Sequence, residues 1–328
     1  MSDLLPAMTL AASAPASWPA WSRVLGVFAY FAAVASVIGG TLTYLAVVRP
    51  VLRAKDAGID NADVVIMRRR SATLLASSGL ALVVAAYLQL ADQVDRADTG
   101  TSYGEALAPT RMWQFLTQPA KPGSWVSSGT LILGQDVLLV VVAGLLAALF
   151  VSSVRRGLDT VAMVAAPLAV TASLVTSLPT KLRDETFDDV LGAVMTQTHI
   201  IGGCTWVGGL AGLALLSRTR RALGTRAGLL WARVWQRFSI LALTAVGGVI
   251  ISGSWLTWKH VGNVSEFTTT TYGRFLLVKL LLVLVIVLAS AYNQFLLTPR
   301  IAEKHAAGEM GKGFALTLRH FPAVVACP

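Results

Sequence analysis

The sequence predicts an all-α protein: a polytopic transmembrane helix bundle with seven spans plus an incomplete or interfacial C-terminal segment. Three observations carry that prediction. Of the 328 residues, 55 % are hydrophobic and only 13 % are charged, with a mean hydropathy of +0.66; a soluble domain carries about 25 % charged residues. The apolar residues come in long runs, and a run of about 20 is what a helix needs to cross a bilayer core. The basic residues behind the net charge of +10 fall in short segments between those runs, a placement that sets membrane orientation and argues against nucleic-acid binding.

Run length places the spans at 24–48, 71–91, 130–152, 160–178, 191–216, 238–258 and 273–297. After the first span, segment 49–70 holds Arg49, Arg53, Lys55 and the triplet Arg68, Arg69, Arg70. The second span ends among Asp92, Asp95 and Asp98, and the long loop 92–129 that follows is either a cap over the outer face or a connector. Arg155 and Arg156 follow the third span, and Asp184, Glu185, Asp188 and Asp189 follow the fourth. Segment 217–237, after the fifth, carries Arg218, Arg220, Arg221, Arg226, Arg233 and Arg237; Glu266 follows the sixth, and Arg300, Lys304 and Lys312 follow the seventh. The basic and acidic segments alternate, so the positive-inside rule puts the N-terminus outside. Residues 1–23 then form an extracytoplasmic tail, 24–297 the membrane domain, and 298–328 a cytoplasmic-side segment. The first residues lack the basic start of a cleaved signal peptide. Cys204 and Cys327 offer neither a disulfide framework nor a CxxC metal spacing. The tail GFALTLRHFPAVVACP is too short to span.

Ionisable groups inside spans are costly and mark functional sites by default. Asp136, His199 and Lys279 lie in spans three, five and seven, each six to eight positions in from the outer boundary. At about 1.5 Å per residue all three sit about 10 Å deep. Met195, His199 and Trp206 share one face of span five, whereas Cys204 is turned about 140° from His199. Thioether plus imidazole suits Cu(I), which makes His199 and Met195 the candidate metal residues. Asp136, Lys279 and Trp206 form a supporting polar pocket, with Lys279 expected to pair with Asp136. Gly202, Gly203, Gly208 and Gly209 suit close helix packing, with Gly247, Gly248 and Gly253 of span six as a matching surface. The plainer alternatives are a histidine hydrogen-bonded to a neighbouring helix, a methionine that fills core, and a purely structural Asp136–Lys279 pair. No catalytic set is read.

The pattern His199–x6–Trp206–Val207–Gly208–Gly209 resembles the signature span of the copper-resistance D family (CopD/PcoD). Phe238–Ser239, Ser252–Gly253, Tyr272–Gly273–Arg274 leading to Lys279, and Asn293 are similar to that family's later motifs, so the resemblance covers roughly 190–300. It implies a cytoplasmic-membrane protein that imports or delivers copper, working with an extracytoplasmic copper-binding partner. Where the family often has a histidine at the outer end of span four, this chain reads Ser177–Leu178–Pro179. The family also continues into a final helix that this tail does not complete. Two other readings stay open. The same spans are similar to the HemJ protoporphyrinogen oxidases, which makes haem the alternative cofactor, although no second intramembrane histidine is present for bis-His ligation. The chain also reads as an accessory subunit docked on a membrane copper enzyme.

The predicted orientation has a direct check. A cysteine introduced at position 100 is expected to react with an impermeant thiol reagent from outside, and one at position 222 to stay protected. The reverse pattern would contradict the orientation.

Overall fold

The computed structural model describes residues 21–54, 60–97, 103–181, 186–224, 227–260 and 265–292. The expected N-terminal tail (apart from its last residues) and C-terminal segment, with Arg300, Lys304 and Lys312, lie outside the described residues, as do Lys55, Asp98, Asp184, Glu185, Arg226 and Asn293. Among the described residues the protein is helical, with no strand. The chain divides into two compact units, Met1–Leu256 and Thr257–Pro328.

The first unit begins with α1 (Trp21–Thr43), which passes through a π-helical turn, Tyr44–Val48, into α2 (Arg49–Arg53). Pro50 explains the turn. It cannot donate a backbone hydrogen bond, and the ladder loosens so that Arg49 N–H reaches back to Tyr44 O. Next come α3 (Asn61–Ala97), the short helices α4 (Tyr103–Ala106) and α5 (Pro109–Leu116), and α6 (Ser128–Ala147). After α7 (Ser152–Arg155) follow α8 (Leu158–Val175), α9 (Phe187–Ser217) and α10 (Ala227–His260). Side chains cap the N-termini of α6 and α9. Ser127 Oγ accepts from Thr130 N–H at 3.0 Å, and Thr186 and Asp189 bond each other reciprocally as a capping box. The second unit holds α11 (Glu266–Thr269) and α12 (Thr271–Tyr292), where Arg274 Nε donates to Thr268 O at 2.8 Å.

Among the described residues six helical stretches are long and apolar enough to cross a membrane: Val24–Arg53, Asn61–Ala97, Ser128–Phe150, Leu158–Val175, Phe187–Ser217 and Ala227–Lys259. α12 stands where the seventh span is expected. Several helices overrun the hydrophobic runs that announce them. Arg68, Arg69 and Arg70, expected in a loop, continue α3, and Arg233 and Arg237 lie within α10. Arginine is a good helix former, so a helix need not stop where the hydrocarbon does.

α1 runs through the middle of the first unit, against α3, α8 and α9, while α6 packs on α3 and α8. Small residues make these contacts close. A Cβ at Gly79 would meet Ala143 O and Leu146 Cβ, both at 2.8 Å. Beyond the first turn of α8 the buried positions are all alanine: Ala162, Ala165, Ala166, Ala169 and Ala172. Lipid tails are as apolar as leucine, so close van der Waals packing of this kind is what holds membrane helices together. Val37, Ile38, Leu75, Leu82, Leu146 and Leu213 fill the core. The loop 92–129 is built rather than open. α4 and α5 fold onto the end of α3 around Ala91, Val94, Ala106 and Met112. Trp125 Nε1 ties the loop to Pro179 O at 2.8 Å.

The closest approach is between α1 and α9. A Cβ at Gly208 would lie 1.8 Å from Ala35 O, and one at Gly39 would lie 2.3 Å from Cys204 O. Gly209 also meets this surface, with Thr43 Oγ1 at 2.4 Å from a built Cβ and Phe238 of α10 at 2.8 Å. Gly208 therefore packs on span one, while the expected touch between spans five and six is made by Gly202, at Ala245 O, 3.0 Å away, and by Gly209 at Phe238. Gly203, expected in the packing set, faces open space, and a Cβ there meets nothing within 4 Å. Gly208→Leu is expected to abolish folded protein in detergent, whereas Gly203→Ala should change stability by less than about 1 kcal/mol. Equal yields of the two variants by size-exclusion chromatography would contradict this packing.

Candidate functional site

His199 lies half-buried on α9 with its ring turned to α10. Nδ1 is 3.2 Å from Val249 O and 3.3 Å from Ser252 Oγ. A carbonyl can only accept, so the bond to Val249 places the proton on Nδ1 and leaves the lone pair on Nε2. Ser252 is itself held, its hydroxyl 2.6 Å from Gly248 O. Gly253 completes the seat: a Cβ there would stand 3.1 Å from His199 Cε1. A ring fixed through one nitrogen presents the other in a defined direction, as a metal-ligating histidine requires.

Met195, one turn before His199, is half-buried, and Trp206, two turns after, is buried. Asp136 is half-buried on α6, and its Oδ2 is a buried atom with no hydrogen-bond partner. Tyr30 of α1 stands within electrostatic range of both Asp136 and Cys204. The sequence groups Asp136 with His199 by depth, but the structure joins them by no hydrogen bond or ion pair; the imidazole's partners are a carbonyl and a hydroxyl. Lys279, on α12, belongs to the second unit and is exposed there. No cluster of three or more His, Cys, Asp or Glu side chains able to hold a metal occurs among the described residues.

Sequence reasoning passed over a cleft of about 850 Å³ between the end of α8, α9 and α10, lined among others by Leu174, Pro179, Thr205 and Thr244. Gln197 lies on its wall, 7 % exposed. Its Nε2 donates to Ser177 Oγ, while its Oε1 is buried without a partner. Ser177 occupies the stretch where the resemblance expects a histidine, so this chain has an amide–hydroxyl pair there. The one available signal is a glutamine inside an apolar run.

Residues 232–327 match the family described as copper resistance protein D. This later part of the chain resembles the copper resistance D family, over less than a third of its length. Val249, Ser252 and Gly253, which seat His199, all fall in the matched segment. The chain is also 29 % identical over 237 residues to the copper transport protein CutJ of Bacillus subtilis (strain 168). That alignment takes in 70 % of this chain and 40 % of CutJ, so the chain spans well under half of that relative's length. No solved structure matches. The family match and the apolar helices together support a multi-pass membrane protein.

Proposed function

We propose that this chain handles copper at the plasma membrane, importing it or delivering it to a partner, with seven spans, α12 as the seventh, and the N-terminus outside. One observation carries the reading: the Val249 carbonyl fixes the His199 ring so that Nε2 keeps its lone pair, one turn from the Met195 thioether. Imidazole and thioether together suit Cu(I). The match to the copper resistance family and the likeness to a copper transport protein support copper as the cargo. The buried, unpartnered Oδ2 of Asp136 supports a cation at its depth. An extracytoplasmic copper-binding protein or a membrane copper enzyme is the partner at the mouth of the bundle.

His199→Ala is expected to bring cellular copper accumulation down to that of cells lacking the protein, with its membrane level unchanged. Met195→Leu should give a partial loss. Unchanged accumulation in His199→Ala, at equal protein level, would overturn the site.

A further inference from the structure

At the opposite end of α1 from its first turn, three arginines gather on one carboxylate. Asp159, the second residue of α8, accepts at Oδ2 from Arg53 Nη2 at 2.6 Å and from Arg68 Nη1 at 3.3 Å. Arg49 Nε stands 3.8 Å from the same oxygen, an ion pair without a hydrogen bond. Oδ1 is taken by the hydroxyl of Tyr44 at 2.5 Å, which the π-helical turn before Pro50 carries. Three guanidinium groups against one carboxylate leave a local charge of +2. Each guanidinium has five N–H donors, and Asp159 accepts one from Arg53 and one from Arg68. Arg49 Nε is buried with no hydrogen-bond partner. A buried charged donor without an acceptor is costly, and further oxyanion atoms would relieve the cost.

The position narrows the anion. α2 ends the first span, Arg68 precedes the apolar stretch of α3, and Asp159 opens α8, so the cluster lies where the hydrocarbon meets water. The Arg53 side chain is 56 % exposed and those of Arg49 and Arg68 are 24 % and 29 % exposed, so the cluster is open on one side. Planar guanidinium groups match phosphate geometry bidentately. We propose that Arg49, Arg53 and Arg68, gathered on Asp159, bind a phosphate oxyanion supplied by the headgroup of an anionic phospholipid. Arg68 and Asp159 hold α3 and α8 to the end of the first span, so a bound headgroup would brace three helices. This site is separate from His199 and its failure would leave the copper reading untouched.

The test uses the full chain in detergent, titrated with phosphatidylglycerol, with diacylglycerol of the same tails, or with inorganic phosphate, and read by native mass spectrometry and thermal shift. One phosphatidylglycerol per chain should be retained in preference to diacylglycerol. Arg53→Gln should weaken retention about fivefold and Arg49→Gln/Arg68→Gln about twentyfold, while exposed Arg156→Gln leaves it unchanged. Should the double variant fail to fold, the single exposed change at Arg53 decides. Stabilisation by inorganic phosphate, lost in Arg53→Gln and without lipid preference, would overturn the lipid as source and keep the oxyanion site. Equal retention of both lipids with no response to phosphate would overturn the site altogether.

Discussion

Where α1 crosses α9, two backbones touch. No side chain fits at Gly208, where a Cβ would fall 1.8 Å from Ala35 O, and none fits at Gly39. That contact sets the rotation of α9, and the rotation sets nearly everything else about the candidate site. Nine residues separate His199 from Gly208, about 180° around a helix. With Gly208 against α1, the imidazole must face away from α1, and it meets Val249 and Ser252 of α10. Cys204, about 40° from Gly208, turns to α1 with it. Gly202 falls on the other side and meets Ala245. One steric constraint therefore turns the cysteine face of the helix to α1 and its histidine face to α10.

Six apolar helices were legible because bilayer thickness dictates run length, and helical geometry within one span was legible because 3.6 residues per turn is fixed. The direction of Cys204 away from His199 follows from that alone. Which helix meets which face was not legible. These helices are apolar all round, so hydrophobicity marks no inward stripe, and a glycine announces a close contact without naming its partner. That is why span six was expected to match the four glycines as a set, although Gly202 and Gly209 meet it while Gly208 meets Ala35 of span one, and why Gly203 looked like its equals. Depth alone likewise grouped Asp136 with His199, whereas the imidazole bonds to α10 and not to the carboxylate.

Charge at the basic end was read as topology and nothing more. Arg49, Arg53 and Arg68 were read for orientation alone, yet they converge on Asp159, a lone acid following Arg155 and Arg156. An acidic residue set among arginines where spans begin and end was the available signal. Tyr44 could not have been foreseen as its partner, since Pro50 and the π-helical turn determine where that ring points.

The copper account rests on a seated imidazole with a free Nε2 and a thioether one turn away. X-ray absorption at the copper edge of the full chain loaded with Cu(I) tests this most directly. The account predicts one imidazole nitrogen and at least one sulfur in the first coordination shell, with the imidazole signal lost in His199→Ala. Copper ligated only by oxygen, or a spectrum identical with and without His199, would contradict it.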